Sequence, residues 1–379
     1  TASFTNMRFA DVIAHDSVKD RLRALVDSGR LPHALLLEGP AGVGKFAMAR
    51  ALAQYIHCEN RHDGDSCGVC PACVQHSTFN HVDLLFSFPV LKNGKSQAVS
   101  DDYIAEFRDF ITLSPFMNFE EWQKALGNIN GQPQMYVEES QDILRKLAFT
   151  ARASDTKIVL MWLPEKMNVQ CANKMLKLIE EPLPGTSLIF VSNSPREILP
   201  TIYSRLQRIE MRRLGDDVVA RYLAGVLSLS GADARSVAHV AQGSILAAEK
   251  EARMSKETEQ FLEFFTRLMR LAYQRKIGLL KVWVNEVAAL GREQEGRFLE
   301  YCQRMVRENF ICNLRMPQLN YLNQAEARFS SRFSPFINER NAERIMGQFN
   351  LAQTDIAANG NAKIILFDLA VKMILLLKQ

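Results

Sequence analysis

Leu35-Leu36-Leu37-Glu38-Gly39-Pro40-Ala41-Gly42-Val43-Gly44-Lys45 reads as an apolar strand that runs into a glycine-rich loop ending on a lysine, and residues 46–57 continue as a helix. That order is the context in which backbone N–H groups wrap around phosphates. Gly39, Gly42 and Gly44 let the backbone approach closely, and Lys45 supplies a point charge for the outer phosphates. A strand feeding a helix through such a loop predicts an α/β fold with a parallel sheet.

The residue after the lysine should carry a hydroxyl for Mg²⁺, yet Phe46 stands there, and an aromatic ring offers no lone pair to a hard cation. A second acidic pair should close the buried strand at 158–163, but Trp162-Leu163-Pro164 comes instead, with Glu165 the first carboxylate. Phosphoryl transfer needs a metal ion to neutralise developing charge and a positioned water. The expectation is therefore little or no ATP hydrolysis and no Mg²⁺ site. Binding of ATP or ADP at Gly39, Gly42, Gly44 and Lys45 stays open against a purely structural loop.

Outward from the loop, apolar runs at 35–37, 82–86, 158–163 and 188–192 predict strands alternating with amphipathic helices, hence a sheet covered on both faces. Between 91 and 135 lies an apparent insertion, with helical spacing at Tyr103, Phe107 and Phe110 followed by a polar Gly-Asn segment; the sequence assigns it no task. From about Arg212 the strand-like runs stop. Helices at 217–227 and 257–271 follow, and Phe261, Phe264, Phe265 and Leu268 recur at helical spacing as a packing stripe.

Four of the seven cysteines, Cys58, Cys67, Cys70 and Cys73, crowd into sixteen residues, whereas Cys171, Cys302 and Cys312 are scattered. Tight Cys-x2-Cys turns direct thiolates toward one tetrahedral Zn²⁺, and four sulfurs leave no open position, so the expected metal is structural. His57, His62 and His76 lie nearby as substitutes the shell does not need.

Of the 379 residues, 47% are apolar and 23% charged, the balance of a globular protein in two or three domains. Lys plus Arg exceed Asp plus Glu by only 46 to 42, which gives no strong reason to expect a dedicated nucleic-acid-coating surface and leaves room for weak or shared contact with DNA. The apolar run at 364–377 is interrupted by Asp368 and Lys372, short of the roughly 20 apolar residues of a membrane span. A secretory leader is not evident, and a cytoplasmic location is the expectation.

Four stretches in order resemble the delta-prime and gamma/tau subunits of bacterial DNA polymerase III clamp loaders. Leu31-Pro32-His33-Ala34 and the strand after it resemble the family's entry to the phosphate loop, and the four-cysteine module has the family's spacing and place. Ala172-Asn173-Lys174-Met175-Leu176-Lys177-Leu178-Ile179-Glu180-Glu181-Pro182 is similar to the family's Asn-Ala-Leu-Leu-Lys-x-Leu-Glu-Glu-Pro helix. Leu199-Pro200-Thr201-Ile202-Tyr203-Ser204-Arg205 resembles its Ser-Arg-Cys stretch, with Leu206 in place of the cysteine.

The resemblance implies an AAA+ P-loop module at 1–208 carrying the zinc module at 58–73 and the insertion at 91–135, then a helical lid at 209–255 and an all-α collar at 256–379. It implies that Arg205 acts in trans, contacting ATP held by a neighbouring gamma/tau-type subunit. The other implied partners are a delta-type subunit and, through the complex, the sliding clamp and primer-template DNA; no membrane is implied. Leu246 stands where active members carry a second-sensor arginine, and Ser192 and Asn193 occupy the first-sensor region. Phe46 and Trp162-Leu163 argue against an active gamma/tau-like ATPase, and the Ser204-Arg205 stretch against a zinc-bearing adaptor outside replication, so a non-hydrolysing stator is the expectation.

Overall fold

The computed structural model describes residues 6–92, 97–127, 131–149, 151, 153–227, 229–313 and 322–378. Residues 93–96 and 128–130 of the expected insertion, including part of its Gly-Asn segment, lie outside the described residues. The chain divides into two compact units, Thr1–Glu251 and Ala252–Gln379.

In the first unit β1 (Ala34–Glu38), β2 (Leu84–Ser87), β3 (Lys157–Trp162), β4 (Thr186–Ser192) and β5 (Gln207–Glu210) form one parallel sheet in the order β2-β3-β4-β1-β5. Residue alternation sorts the side chains to two faces. Leu35, Leu37, Ile158, Leu160, Trp162, Ile189 and Val191 pack on one side, while Ala34, Leu36, Val159, Met161, Leu188 and Phe190 pack on the other. The helices in chain order are α1 (Asp16–Asp27), α2 (Lys45–His57), α3 (Pro71–Ser77), α4 (Ile104–Leu113), α5 (Phe119–Ala125), α6 (Val137–Leu147), α7 (Val169–Glu180) and α8 (Pro200–Tyr203). Leu22 of α1, most of α2, and Phe107 and Trp122 of α4 and α5 cover the first face. Ile143 of α6, Met175 of α7 and Ile202 of α8 cover the second. This is the parallel-sheet α/β module expected from the loop.

Two strand expectations need correction. The run at 82–86 yields a strand only at Leu84–Ser87, because Val82 is exposed in a turn and the Asp83 carboxylate accepts the backbone N–H groups of Ala153 and Ser154. The four expected strands are joined by a fifth, β5, whose Gln207-Arg208-Ile209-Glu210 buries one side chain and carries no apolar run. Its pairing with β1 makes it an edge strand.

Beyond the sheet come α9 (Asp216–Leu227), α10 (Gly231–Ala241) and α11 (Ile245–Tyr273), with the division between units falling inside α11. In the second unit, α12 (Ile277–Val287), α13 (Arg292–Asn313), α14 (Gln324–Phe333), α15 (Ala342–Ala357) and α16 (Ala362–Leu376) enclose a core of their own. Phe261, Phe264, Phe265 and Leu268 belong to it, as their spacing predicts. Asn361 caps α16 by accepting the N–H groups of Lys363 and Ile364. Among the described residues no helix is long and apolar enough to cross a membrane.

Candidate functional site

The phosphate loop is built as its sequence requires. Gly39 and Gly42 have positive φ, and a Cβ at either would collide, at Gly39 with the Met211 carbonyl and at Gly42 with the Ser244 hydroxyl. Gly44 starts α2. Lys45 does not point at an open anion site: its Nζ donates to the carbonyls of Gly39 (2.8 Å) and Pro40 (2.5 Å). Burial pushes its pKa down to about 7, with the Glu165 charge pulling the other way.

Around the loop the cavity measures about 10 Å³ and is lined by Gly42, Lys45, Phe46, Phe116, Trp162 and Asn193 among others. That is about the space of one water molecule. The filling is aromatic. Phe46, where a metal-binding hydroxyl is expected, meets Phe107 edge-on at 6.0 Å, and Trp162, where an acidic pair is expected, faces Phe107 and Phe110 at 6.1 Å each. Phe107 stacks on Phe88 at 3.7 Å, and the Trp122 indole N–H donates to the Pro89 carbonyl. Phe107 and Phe110 come from the 91–135 segment, so the stretch without an assigned task packs its rings against Phe46 and Trp162.

The remaining groups are also spent on structure. Glu165 Oε1 accepts the backbone N–H groups of Asn193 (2.9 Å) and Ser194 (3.1 Å), so it ties the end of β4 to the turn after β3. Ser192 is buried, and its Oγ accepts the N–H of Ser194. Leu246 lies against Gly42.

Arg205 is on the surface, its side chain 43% exposed. Its Nε pairs with Glu180 Oε1 at 2.5 Å and its guanidinium donates to the Thr201 carbonyl at 2.8 Å. Glu180 ends α7 and Thr201 lies in α8, so the two family-like stretches meet at this arginine. An exposed pair of this kind contributes about 0–1 kcal/mol, so releasing the guanidinium costs little. Nothing in the sequence signalled the Glu180 partnership.

Cys58, Cys67, Cys70 and Cys73 bring their sulfurs within 4.8 Å of one another, all but Cys70 buried. Cys58 follows α2, Cys70 starts α3, and Cys73 lies one turn inside it. Cys67 Sγ accepts the N–H groups of Val69 (3.5 Å) and Cys70 (3.3 Å), and Cys58 Sγ accepts that of Cys67 (3.2 Å). The N–H donors hold the Cys67 thiol down to about 6, whereas burial raises Cys58 and Cys73. Four sulfurs at this spacing, one of them held as thiolate by backbone donors, fit a tetrahedral zinc ion with no ligand from outside.

The histidines do not join this cluster. His62 is exposed beside Asp63. His57 and His76 group instead with His81, which the sequence gave no reason to single out. His57 Nε2–H donates to the Thr156 carbonyl, which leaves its Nδ1 to accept from His76 Nε2–H at 2.9 Å, while His81 stacks on His57 at 4.1 Å and 17°. Burial lowers all three pKa values, that of His57 to about 4.

Comparison with known proteins agrees with this assembly of parts. The chain is 31% identical over 173 residues to the DNA polymerase III delta-prime subunit of Pseudomonas aeruginosa, covering 46% of this chain and 41% of that one. It is 25% identical over 223 residues to the gamma/tau subunit of Mycobacterium tuberculosis, covering 59% of this chain and 32% of the relative. The chain thus spans less than half the length of these relatives. Among solved structures, a gamma subunit-related protein of Thermotoga maritima aligns over 95% of this chain and 99% of its own, at 12% identity and a TM-score of 0.34. The family model described as DNA polymerase III, delta subunit, matches residues 14–215, the span that holds the phosphate loop, the cysteine cluster and Arg205. With more than half of its length matched by that model, the chain belongs to the DNA polymerase III delta subunit family.

Proposed function

We propose that this chain is a delta-prime-like subunit of a DNA polymerase III clamp loader that hydrolyses no ATP itself and donates Arg205 to ATP held by a neighbouring gamma/tau-type subunit. Its organisation is an AAA+ module at 1–208, a helical lid at 209–255 and a collar at 256–379. It works with a delta-type subunit, and through the complex with the sliding clamp and primer-template DNA, in the cytoplasm. Cys58, Cys67, Cys70 and Cys73 hold one structural zinc ion, whose chemistry is confined to stapling the loop between α2 and α3.

The observation that carries the reading is the contrast between two places. The phosphate loop's surroundings are packed with Phe46, Trp162 and Phe116 down to a cavity of about 10 Å³, while Arg205 stays exposed on a pair that opens cheaply. A guanidinium delivered to a transferring phosphoryl group stabilises its spreading charge and is typically worth ~10³–10⁵ in rate.

The experiment is DNA- and clamp-stimulated ATP hydrolysis by a reconstituted loader containing this chain or its Arg205→Ala variant, with assembly followed by gel filtration. The expected result is an intact complex in which turnover at the neighbouring site falls by at least a hundredfold. Unchanged turnover in an intact complex overturns the arginine donation. Turnover by the isolated chain, lost in Lys45→Ala, would overturn the non-hydrolysing role.

A further inference from the structure

Residues 114–117 of the inserted segment touch both the phosphate loop and the helices that follow the sheet. Phe116 is buried, and its ring packs against Gly44, where a Cβ would meet it at 3.6 Å. The same ring meets Tyr222 of α9 in a T-shaped contact at 5.4 Å and 81°. Tyr222 in turn donates its hydroxyl to Glu249 of α11 at 2.7 Å. The turn that aims the ring is fixed by the Phe116 N–H on the Ser114 hydroxyl at 3.0 Å, and Asn118 caps α5 directly behind it.

The same two bodies are joined directly beside Phe116. Ser244 donates its hydroxyl to the Ala41 carbonyl, and the Ile245 N–H donates to the Gly42 carbonyl, each at 2.9 Å. These bonds use carbonyls of the phosphate loop that stay in place only while the loop keeps its shape, and Lys45 holds that shape from inside.

From this arrangement we propose that residues 114–117 are an intramolecular stand-in for a nucleotide: Phe116 occupies the space over the phosphate loop and clamps α9 and the start of α11 onto the sheet. A bound nucleotide that touched loop and helices at once would couple them only while bound. A covalently attached ring does so permanently, because the cost of bringing it there was met when the chain folded. The lid-side helices of this chain therefore keep one position whether ATP is present or absent. The clamp is independent of Arg205 and of any partner, so its failure leaves the arginine donation standing, and the reverse holds as well.

The test is hydrogen exchange on the full chain, with and without saturating Mg-ATP, in the wild type, Phe116→Ala and Tyr222→Ala. The expected wild-type result is strong protection of the Ile245 and Ala248 amides that ATP does not change. In Phe116→Ala those amides exchange at least tenfold faster, while amides of β3 and β4 keep their rates. Tyr222→Ala breaks the same bridge from the helix side without touching the loop, and the same acceleration is expected; if Phe116→Ala fails to fold, this variant decides. Unchanged exchange at Ile245 and Ala248 in the folded variants, or a tenfold slowing by ATP in the wild type, overturns the proposal.

Discussion

Phe46 and Trp162 impose a packing requirement at positions where metal-binding groups were expected. Each is less than 5% exposed, and each presents its ring to Phe107 instead of a ligand atom to a metal. Truncating a buried Phe typically costs about 3–5 kcal/mol, and a buried hydroxyl without a partner adds to that. Phe46→Ser, which writes the usual hydroxyl back into the loop, should therefore lower stability by at least about 3 kcal/mol in urea titration. It should also fail to create ATP turnover, since Trp162 and Phe116 still fill the site; a well-folded Phe46→Ser chain that hydrolyses ATP would contradict this. The identity of these residues was legible in the sequence as a loss. Their shared aromatic partner was not, because Phe107 lies sixty-one positions from Phe46 and only the fold brings the rings together. Arg205 was singled out by its motif, whereas its Glu180 partner was not legible.

Among elements, those with a strong apolar period came through the sequence intact. β1, β3, β4 and α2 lie within a residue or two of the runs that announced them, since each buries nearly every side chain. β5 was hidden because an edge strand that buries only Ile209 needs no apolar alternation. The junction of α2, α3 and the turn before β2 was hidden for a different reason: its contents are histidines, whose role depends on burial. His76 is held far below its ordinary value, to about 2, first by burial, then by His57, His81 and the buried Arg50. His81 is lowered by burial against the opposing pull of Asp83 and Glu59. A depressed histidine is neutral in the folded state while the unfolded chain takes up a proton below its ordinary value of 6.5, so stability is full above that pH and declines as the pH falls. His76 alone should then remove roughly 2 kcal/mol between pH 7 and pH 5, at about 1.4 kcal/mol for each pH unit between the two pKa values. Urea midpoints measured across that range should fall steeply in the wild type and less steeply in His76→Gln. Equal slopes in both would show that the imidazole is not the group responsible.

At the scale of the whole molecule, two cores coexist in one chain. The sheet unit is closed on both faces by its own helices, and the helical unit packs Phe265, Trp283, Phe298 and Phe349 into a cluster that contains no residue of the sheet. The cysteine cluster belongs to the first unit, where it joins α2 to α3 and so lies next to the helix that carries Lys45 and Phe46. Metal binding that occurs in the folded but not the unfolded state adds directly to the stability of the unit that holds it. The purified chain should carry one zinc ion, and Cys73→Ser should carry none. Removing the metal with a chelator should lower the unfolding midpoint of the first unit and leave the second where it was. The three tryptophans make the two separable, since Trp122 and Trp162 report on the sheet unit and Trp283 on the helical one. In a Trp283→Phe chain, fluorescence follows only the first unit, and its midpoint in guanidinium should shift on chelation. In a chain with both Trp122→Phe and Trp162→Phe, fluorescence follows only Trp283, and its midpoint should stay in place. A single transition that shifts equally for both reporters would mean that α11, which runs from one unit into the other, binds them into one cooperative body.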